Sequence, residues 1–166
     1  LDEVKAYKPF PDTFDSGYPY LSGAQSLYEK AHNGVKRDTN YFGKKSIILN
    51  GKSYERGLMI CPAGTAGRGI FIVGLADLPK VKGFTAEVGI EDSVNDQGSS
   101  AFIAEACVNG EWKRLFESGV LTGKDDAKRV KVKFPEGAEY VRLVATDGGN
   151  GGSADHAVWA DARFFE

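Results

Sequence analysis

The sequence predicts an all-β domain, an antiparallel β-sandwich of jelly-roll-like type. Three observations carry this. There are 21 glycines against one methionine, so the chain turns often and packs large rings between turns. Asn50-Gly51 and Asn109-Gly110 are strong hairpin signals. Several short segments alternate apolar and polar side chains with the period of two that a half-buried strand requires.

The elements follow in order. Residues 1–19 carry Pro9, Pro11 and Pro19 with little periodicity and read as a linker or edge extension; 20–166 form the sandwich. Only 24–31 has helical character, for about two turns. Residues 46–49 and 52–61 flank the first Asn-Gly turn as strands, and 68–73 is a short apolar strand. In 84–91, Phe84, Ala86, Val88 and Ile90 point one way while Thr85 and Glu87 point the other. Residues 101–108 put Phe102, Ala104, Ala106 and Val108 on one face and turn at Asn109-Gly110 into 111–119. The clearest half-buried strand is 128–134, with Val130, Val132 and Phe134 inward and Arg129, Lys131 and Lys133 outward. Strands at 140–146 and 158–165 complete the set, with no internal repeat.

Composition narrows function. A chain of 166 residues is one ordinary domain with enough length for a core. The formal net charge of -2 and the lack of a basic stripe give nucleic-acid binding no electrostatic support. No apolar run approaches a membrane span. Leu1 is not a natural start, so an excised piece of a larger protein is expected. Cys61 and Cys107 fall on different predicted strands and read as two buried thiols or one disulfide.

Enzyme motifs fail on context. Gly51-Lys52-Ser53 sits in a hairpin and lacks the upstream glycine of a phosphate loop. Residues 64–69 have the wrong glycine order and no βαβ setting for a dinucleotide site. Only His32 and His156 are available as imidazole bases, and neither has a local nucleophile signature. No carboxylate pair stands out among the 23 acidic residues. Two oxygen-rich loops remain as metal candidates, one around Glu91 and Asp92, the other from Asp147 through Asn150 to Asp155. Solvated turn acids are the plainer reading of both.

The C-terminal third holds specific motifs. Residues 155–161 (DHAVWAD), 54–58 (YERGL), 84–92 (FTAEVGIED), 118–123 (SGVLTG) and 141–147 (VRLVATD) fall in order along the chain. Together with Tyr20-Leu21-Ser22 and the stretch from Asn33-Gly34 to Asp38, they resemble the NPCBM domains, carbohydrate-binding module family 51. That resemblance implies a galactose-binding-domain-like sandwich that binds galactose and blood-group A/B-type glycans. It also implies a non-catalytic module covalently linked to a secreted bacterial glycoside hydrolase, and a structural Ca2+. Two positions depart from the family pattern: Cys61 stands where a histidine is usual, and Glu91 replaces the first aspartate of a "VGxDD" segment.

Sugar recognition needs an aromatic face for the C–H side of the ring and fixed polar groups for the hydroxyls. Uninterrupted alternation through 158–165 sets Trp159, Asp161 and Arg163 opposite Val158, Ala160, Ala162 and Phe164, which makes Trp159 the stacking candidate and Trp112 the alternative. His156, Asp155, Asn150, Glu55 and Arg56 are the expected polar partners, and Asp92 and Asp147 the expected metal ligands. Against this stand a plain core role for Trp159, a structural role for His156 and an ion pair for Arg56 with Asp161 or Glu91. The competing function is a structural or protein-interaction β-sandwich that has lost sugar binding; a small hydrolase is the third.

Overall fold

The computed structural model describes residues 17–43, 45–62, 67–94, 97–149 and 155–166. Two five-stranded antiparallel sheets pack face to face. The first has the order β1 (Tyr28–Lys30), β6 (Arg68–Gly74), β11 (Ala138–Thr146), β8 (Ser99–Val108), β9 (Glu111–Thr122). The second has the order β10 (Lys128–Lys133), β7 (Gly83–Ile90), β12 (Ala157–Phe165), β5 (Gly57–Met59), β2 (Lys36–Arg37). A hairpin of β3 (Ile47–Leu49) and β4 (Lys52–Tyr54) lies on the outer face of the second sheet.

Alternation builds the core. Val132, Phe84 and Phe164 share one row across β10, β7 and β12, and all three point inward. A chain of rings runs through the interior: Phe102 meets Trp159 at 5.6 Å edge-on, Trp159 meets Phe84 at 6.1 Å, Phe84 meets Phe134 at 6.3 Å, and Phe134 meets Phe164 at 6.2 Å. Such offset and edge-to-face contacts add to the area these rings bury.

Three expectations change. The segment 24–31 is not helical; a 3-10 turn at Leu21–Gly23 leads into β1. Eight residues are too few to hold a helix without tertiary support, and here the tertiary bonds favour an extended chain: the Leu27 N–H bonds Ile72 and the Arg37 guanidinium donates to the carbonyls of Ser22 and Ala24. The strand expected over 52–61 splits into β4 and β5, crossing from hairpin to sheet at Glu55-Arg56. Asp38 fixes that crossing: its carboxylate accepts the Gly57 N–H at 3.0 Å and its own N–H bonds the Gly57 carbonyl.

The third change is in β12. Asp161 has φ +51° and the register with β7 shifts between Ala160 and Arg163. One extra residue at a bulge reverses every side chain beyond it. Trp159 therefore faces the main core together with Ala162 and Phe164, while Val158 and Ala160 face the β3–β4 hairpin.

That hairpin is seated by a close approach. A Cβ on Gly57 would lie 2.7 Å from Ile47 Cδ1 and 3.0 Å from the Trp159 carbonyl oxygen. Ile47, Leu49 and Tyr54 thereby pack onto Met59, Cys61, Val158 and Ala160. Cys61 and Cys107 are both buried free thiols, the latter on β8 of the other sheet. Burial in the hairpin cluster pushes the Cys61 thiol up to about 12.

The two ends of the sandwich differ. At one, the Phe164 N–H bonds the Pro19 carbonyl and the Tyr18 hydroxyl donates to Glu166. Of the expected linker, residues 1–16 lie outside the described residues. The other end, about 26 Å away along β12 at 3.3 Å per residue, begins with His156.

Candidate ligand-binding site

The end of the sandwich at His156 gathers imidazole, aromatic, amide and hydroxyl groups. The His156 ring stacks on Tyr41 with centroids 4.5 Å apart and planes 19° from parallel. Phe42 stands edge-on to both, 5.5 Å from Tyr41 and 6.1 Å from His156. His32 lies parallel to Tyr41 at 6.3 Å, and the Asn33 side-chain amide donates to the Tyr41 hydroxyl. Ser93 Oγ sits 3.4 Å from His156 Nδ1.

Local backbone chemistry places these groups. Buried Asn40 accepts the Phe42 N–H on its side-chain oxygen at 3.0 Å, and the Asn40 N–H bonds the Lys45 carbonyl. That turn presents Phe42, 63% exposed, to solvent. The His32 N–H bonds the Cys61 carbonyl at 3.0 Å. Glu91, buried at this end, ties three segments: it accepts the Ile48 N–H of β3 and the Ser93 N–H, and its own N–H bonds the His156 carbonyl. Burial lowers the His156 pKa, partly opposed by the Glu91 charge. His156 is thus a neutral imidazole at pH 7, able to donate from one nitrogen and accept at the other.

Chemically, one exposed aromatic face stands beside a neutral imidazole, a carboxamide and a hydroxyl. Those are the parts a neutral polyol requires. Tyr41 has one face against His156, and Phe42 is the exposed phenyl ring of the group.

A second cluster lies next to it. Asp155 is 1% exposed; one carboxylate oxygen accepts the Ser99 N–H at 2.7 Å and the other is buried without a hydrogen-bond partner among the described residues. Burial, with a further push from the Asp147 charge and against the Ser99 amide, raises its pKa to about 6. Asp147, also buried, accepts the Gly149 N–H at 2.8 Å. Among the described residues no group of three or more His, Cys, Asp or Glu side chains is arranged to hold a metal.

Of the residues expected from sequence, His156 is at this site and Asn150 lies outside the described residues. Trp159 is corrected: it is wholly buried among Phe84 and Phe102 and offers no face to a ligand. Trp112 is not brought to this site: it lies partly buried on the outer face of the first sheet, with the Arg142 guanidinium over its ring at 4.1 Å. Asp155 is a buried anchor for Ser99, not a hydroxyl-reading group. Glu55 and Arg56 are exposed beside the middle of β12, where the Asp161 N–H bonds the Arg56 carbonyl. Arg56 pairs with Asp38 at 3.4 Å rather than with Asp161 or Glu91. Asp92 has both carboxylate oxygens on the hairpin turn, accepting the N–H groups of Asn50 and Gly51 at 2.9 and 2.8 Å. It closes that turn. Sequence reading missed Tyr41, Phe42, His32, Asn33 and Ser93 as site residues. The available signal was an adjacent aromatic pair outside any alternating segment.

The family model for the NPCBM/NEW2 domain matches residues 18–165. No curated protein matches the chain. Among solved structures, the chain is similar to CBM51 from Clostridium perfringens GH95 in complex with methyl-galactose, at 27% identity and TM-score 0.73, covering 88% of this chain and 98% of that one. It is similar to CBM51-2 in complex with GlcNAc, solved with INT domains of Clostridium perfringens ZmpB, at 25% identity and TM-score 0.70, covering 88% of this chain and 31% of that one. It shares its fold with the tandem CBM51 modules of Sp3GH98, a family 98 glycoside hydrolase from Streptococcus pneumoniae, at 18% identity and TM-score 0.73, covering 87% of this chain and 46% of that one.

Proposed function

The chain belongs to the NPCBM/NEW2 domain family, and from that membership we propose that it is a non-catalytic carbohydrate-binding module that takes a galactose-type sugar at the His156 end. The observation that carries this is the grouping of exposed Phe42 with neutral His156, Asn33 and Ser93. Phe42 stacks on the apolar face of the pyranose, and the polar groups read its hydroxyls. The methyl-galactose complex of a 27% identical module supports galactose as the core ligand. Blood-group A/B-type glycans extend the same sugar and are the proposed natural targets.

The departure at Cys61 is compatible with an intact site. Its thiol packs under the β3–β4 hairpin, and its carbonyl positions His32. The site then draws its imidazoles from His32 and His156.

A structural Ca2+ fits the Asp147–Asp155 pair. Calcium takes hard oxygens, and Asp155 brings a buried oxygen with no donor among the described residues. Asp147 and Asp155 would hold the ion, which would neutralise two neighbouring carboxylates beside the binding end. Attachment to a glycoside hydrolase and a secreted bacterial setting belong to the same proposal.

Isothermal titration with methyl-galactoside, backed by a glycan array, tests the reading. Saturable weak binding that disappears in Phe42→Ala and in His156→Ala, both still folded, is the expected result. Absence of binding to every galactose-bearing glycan would leave the protein-interaction alternative standing.

A further inference from the structure

The outer face of the second sheet is only half covered. The β3–β4 hairpin shields the part near His156, and the remainder carries a cluster of cations. Directly opposed residues on antiparallel strands share a face. Lys131, Thr85 and Arg163 form one row across β10, β7 and β12; Lys133, Gly83 and Phe165 form the next; Arg129 and Glu87 flank them. The intervening row of Val132, Phe84 and Phe164 points into the core, so these rows point out.

Arg129, Lys131, Lys133 and Arg163 are all exposed. Glu87 is the carboxylate in these rows; it is bonded by the Tyr54 hydroxyl and lies 4.0 Å from Arg129. Lys131, Lys133 and Arg163 have no ion-pair partner among the described residues. A Cβ on Gly83 would lie 2.0 Å from the Val132 carbonyl oxygen and 2.6 Å from Phe165 Cζ. Its absence lets the half-buried Phe165 ring lie across β7, where Lys131 Nζ sits 5.7 Å from the ring centroid.

Lysines on an edge strand ordinarily block sheet-to-sheet pairing, and β10 is an edge. Arg163 does not fit that account, because β12 lies inside the sheet. Nor does overall composition, since the chain is net acidic at -2. We propose that Arg129, Lys131, Lys133, Arg163 and Phe165 form a second ligand surface, for a glycan bearing carboxylate or sulfate groups. The flat ring takes a sugar face and the cations take its acidic substituents. Lys131 and Arg163 are two strands apart, about 10 Å, and Lys131 and Lys133 about 7 Å. Nucleic acid fits less well: single strands want successive stacking rings, and tight duplex binding uses about 6–10 phosphate contacts. The surface is separate from the His156 end, and the proposal does not rest on galactose binding there.

The test titrates the protein with hyaluronan and chondroitin sulfate hexasaccharides at low and physiological salt, following backbone amide NMR shifts. A thymidine oligonucleotide of equal charge is the control. Expected are shifts at Thr85, Lys131, Arg163 and Phe165, and an affinity at least tenfold weaker in Lys131→Glu/Arg163→Glu with the galactose response unchanged. Lys131→Ala/Lys133→Ala, confined to the exposed edge, guards against a folding defect and should weaken binding in the same direction. Binding of both hexasaccharides assigns the reading to carboxylate; binding of chondroitin sulfate alone assigns it to sulfate. The proposal is overturned if neither glycan binds at low salt, if the variants bind as native, or if the oligonucleotide binds as tightly as the glycans.

Discussion

Tyr41 lies face to face with His156, centroids 4.5 Å apart, although 115 residues separate them in the chain. The stack half-buries the imidazole and holds its pKa below the ordinary histidine value. Tyr41→Ala should rehydrate the ring and raise the His156 pKa toward about 6.5, read by NMR titration of the imidazole protons. A depressed histidine pKa contributes stability that is complete above the unfolded value and is lost as pH falls through the folded one. The His156 contribution to melting temperature should therefore fall below about pH 6.5, so the advantage of native protein over Tyr41→Ala should shrink over that window. An unmoved His156 titration would show that the stack does not set its environment.

Phe42 and Trp159 separate ligand contact from folding. Phe42 is mostly exposed, so Phe42→Ala should change stability by no more than about 0.5 kcal/mol while weakening methyl-galactoside binding at least tenfold. Trp159→Ala should cost about 3–5 kcal/mol through its cavity, whereas Trp159→Phe, if it folds, should keep the affinity. Lost binding in a folded Trp159→Phe would return the indole to the site.

The contrast between those two rings shows what the sequence could convey. Val130, Val132, Phe84 and Val88 were legible as core because alternation there runs unbroken. Trp159 was misread because Asp161 inserts one residue with positive φ, and no glycine or asparagine marks the spot. Phe42 was invisible as a site residue because its partner His156 is reached only through the tertiary fold. The motif 54–58 was legible by resemblance alone; the demand of Ile47 for the space above Gly57 needed coordinates.

Asp155 predicts a metal-dependent pH response. Its folded pKa is raised to about 6, above the unfolded value of about 3.9. Without metal, stability from this group is full below about pH 4 and is lost as pH rises through about 6. At pH 7.5 the carboxylate is charged and under-bonded, so Ca2+ should raise the melting temperature and chelator should lower it. Asp155→Asn should abolish that difference and be no less stable than native in chelator. Equal melting curves of native protein with calcium and with chelator would remove the ion from the proposal.

Gly57 predicts a coupling between packing and binding. Gly57→Ala places a methyl 2.7 Å from Ile47 Cδ1 and 3.0 Å from the Trp159 carbonyl. The side chain can yield but the carbonyl cannot, so destabilisation of about 1–3 kcal/mol is expected. Ile47→Val removes the offending methyl and should recover part of that loss in the double variant, leaving the backbone contact unrelieved. The displacement should also reach the ligand end, because Ile48 next door donates to Glu91, whose N–H bonds the His156 carbonyl. Gly57→Ala should therefore weaken galactoside binding several-fold, with Ile47→Val restoring affinity and stability together. Strict additivity of the two substitutions, measured by denaturant unfolding, would show that the hairpin is not seated through Gly57.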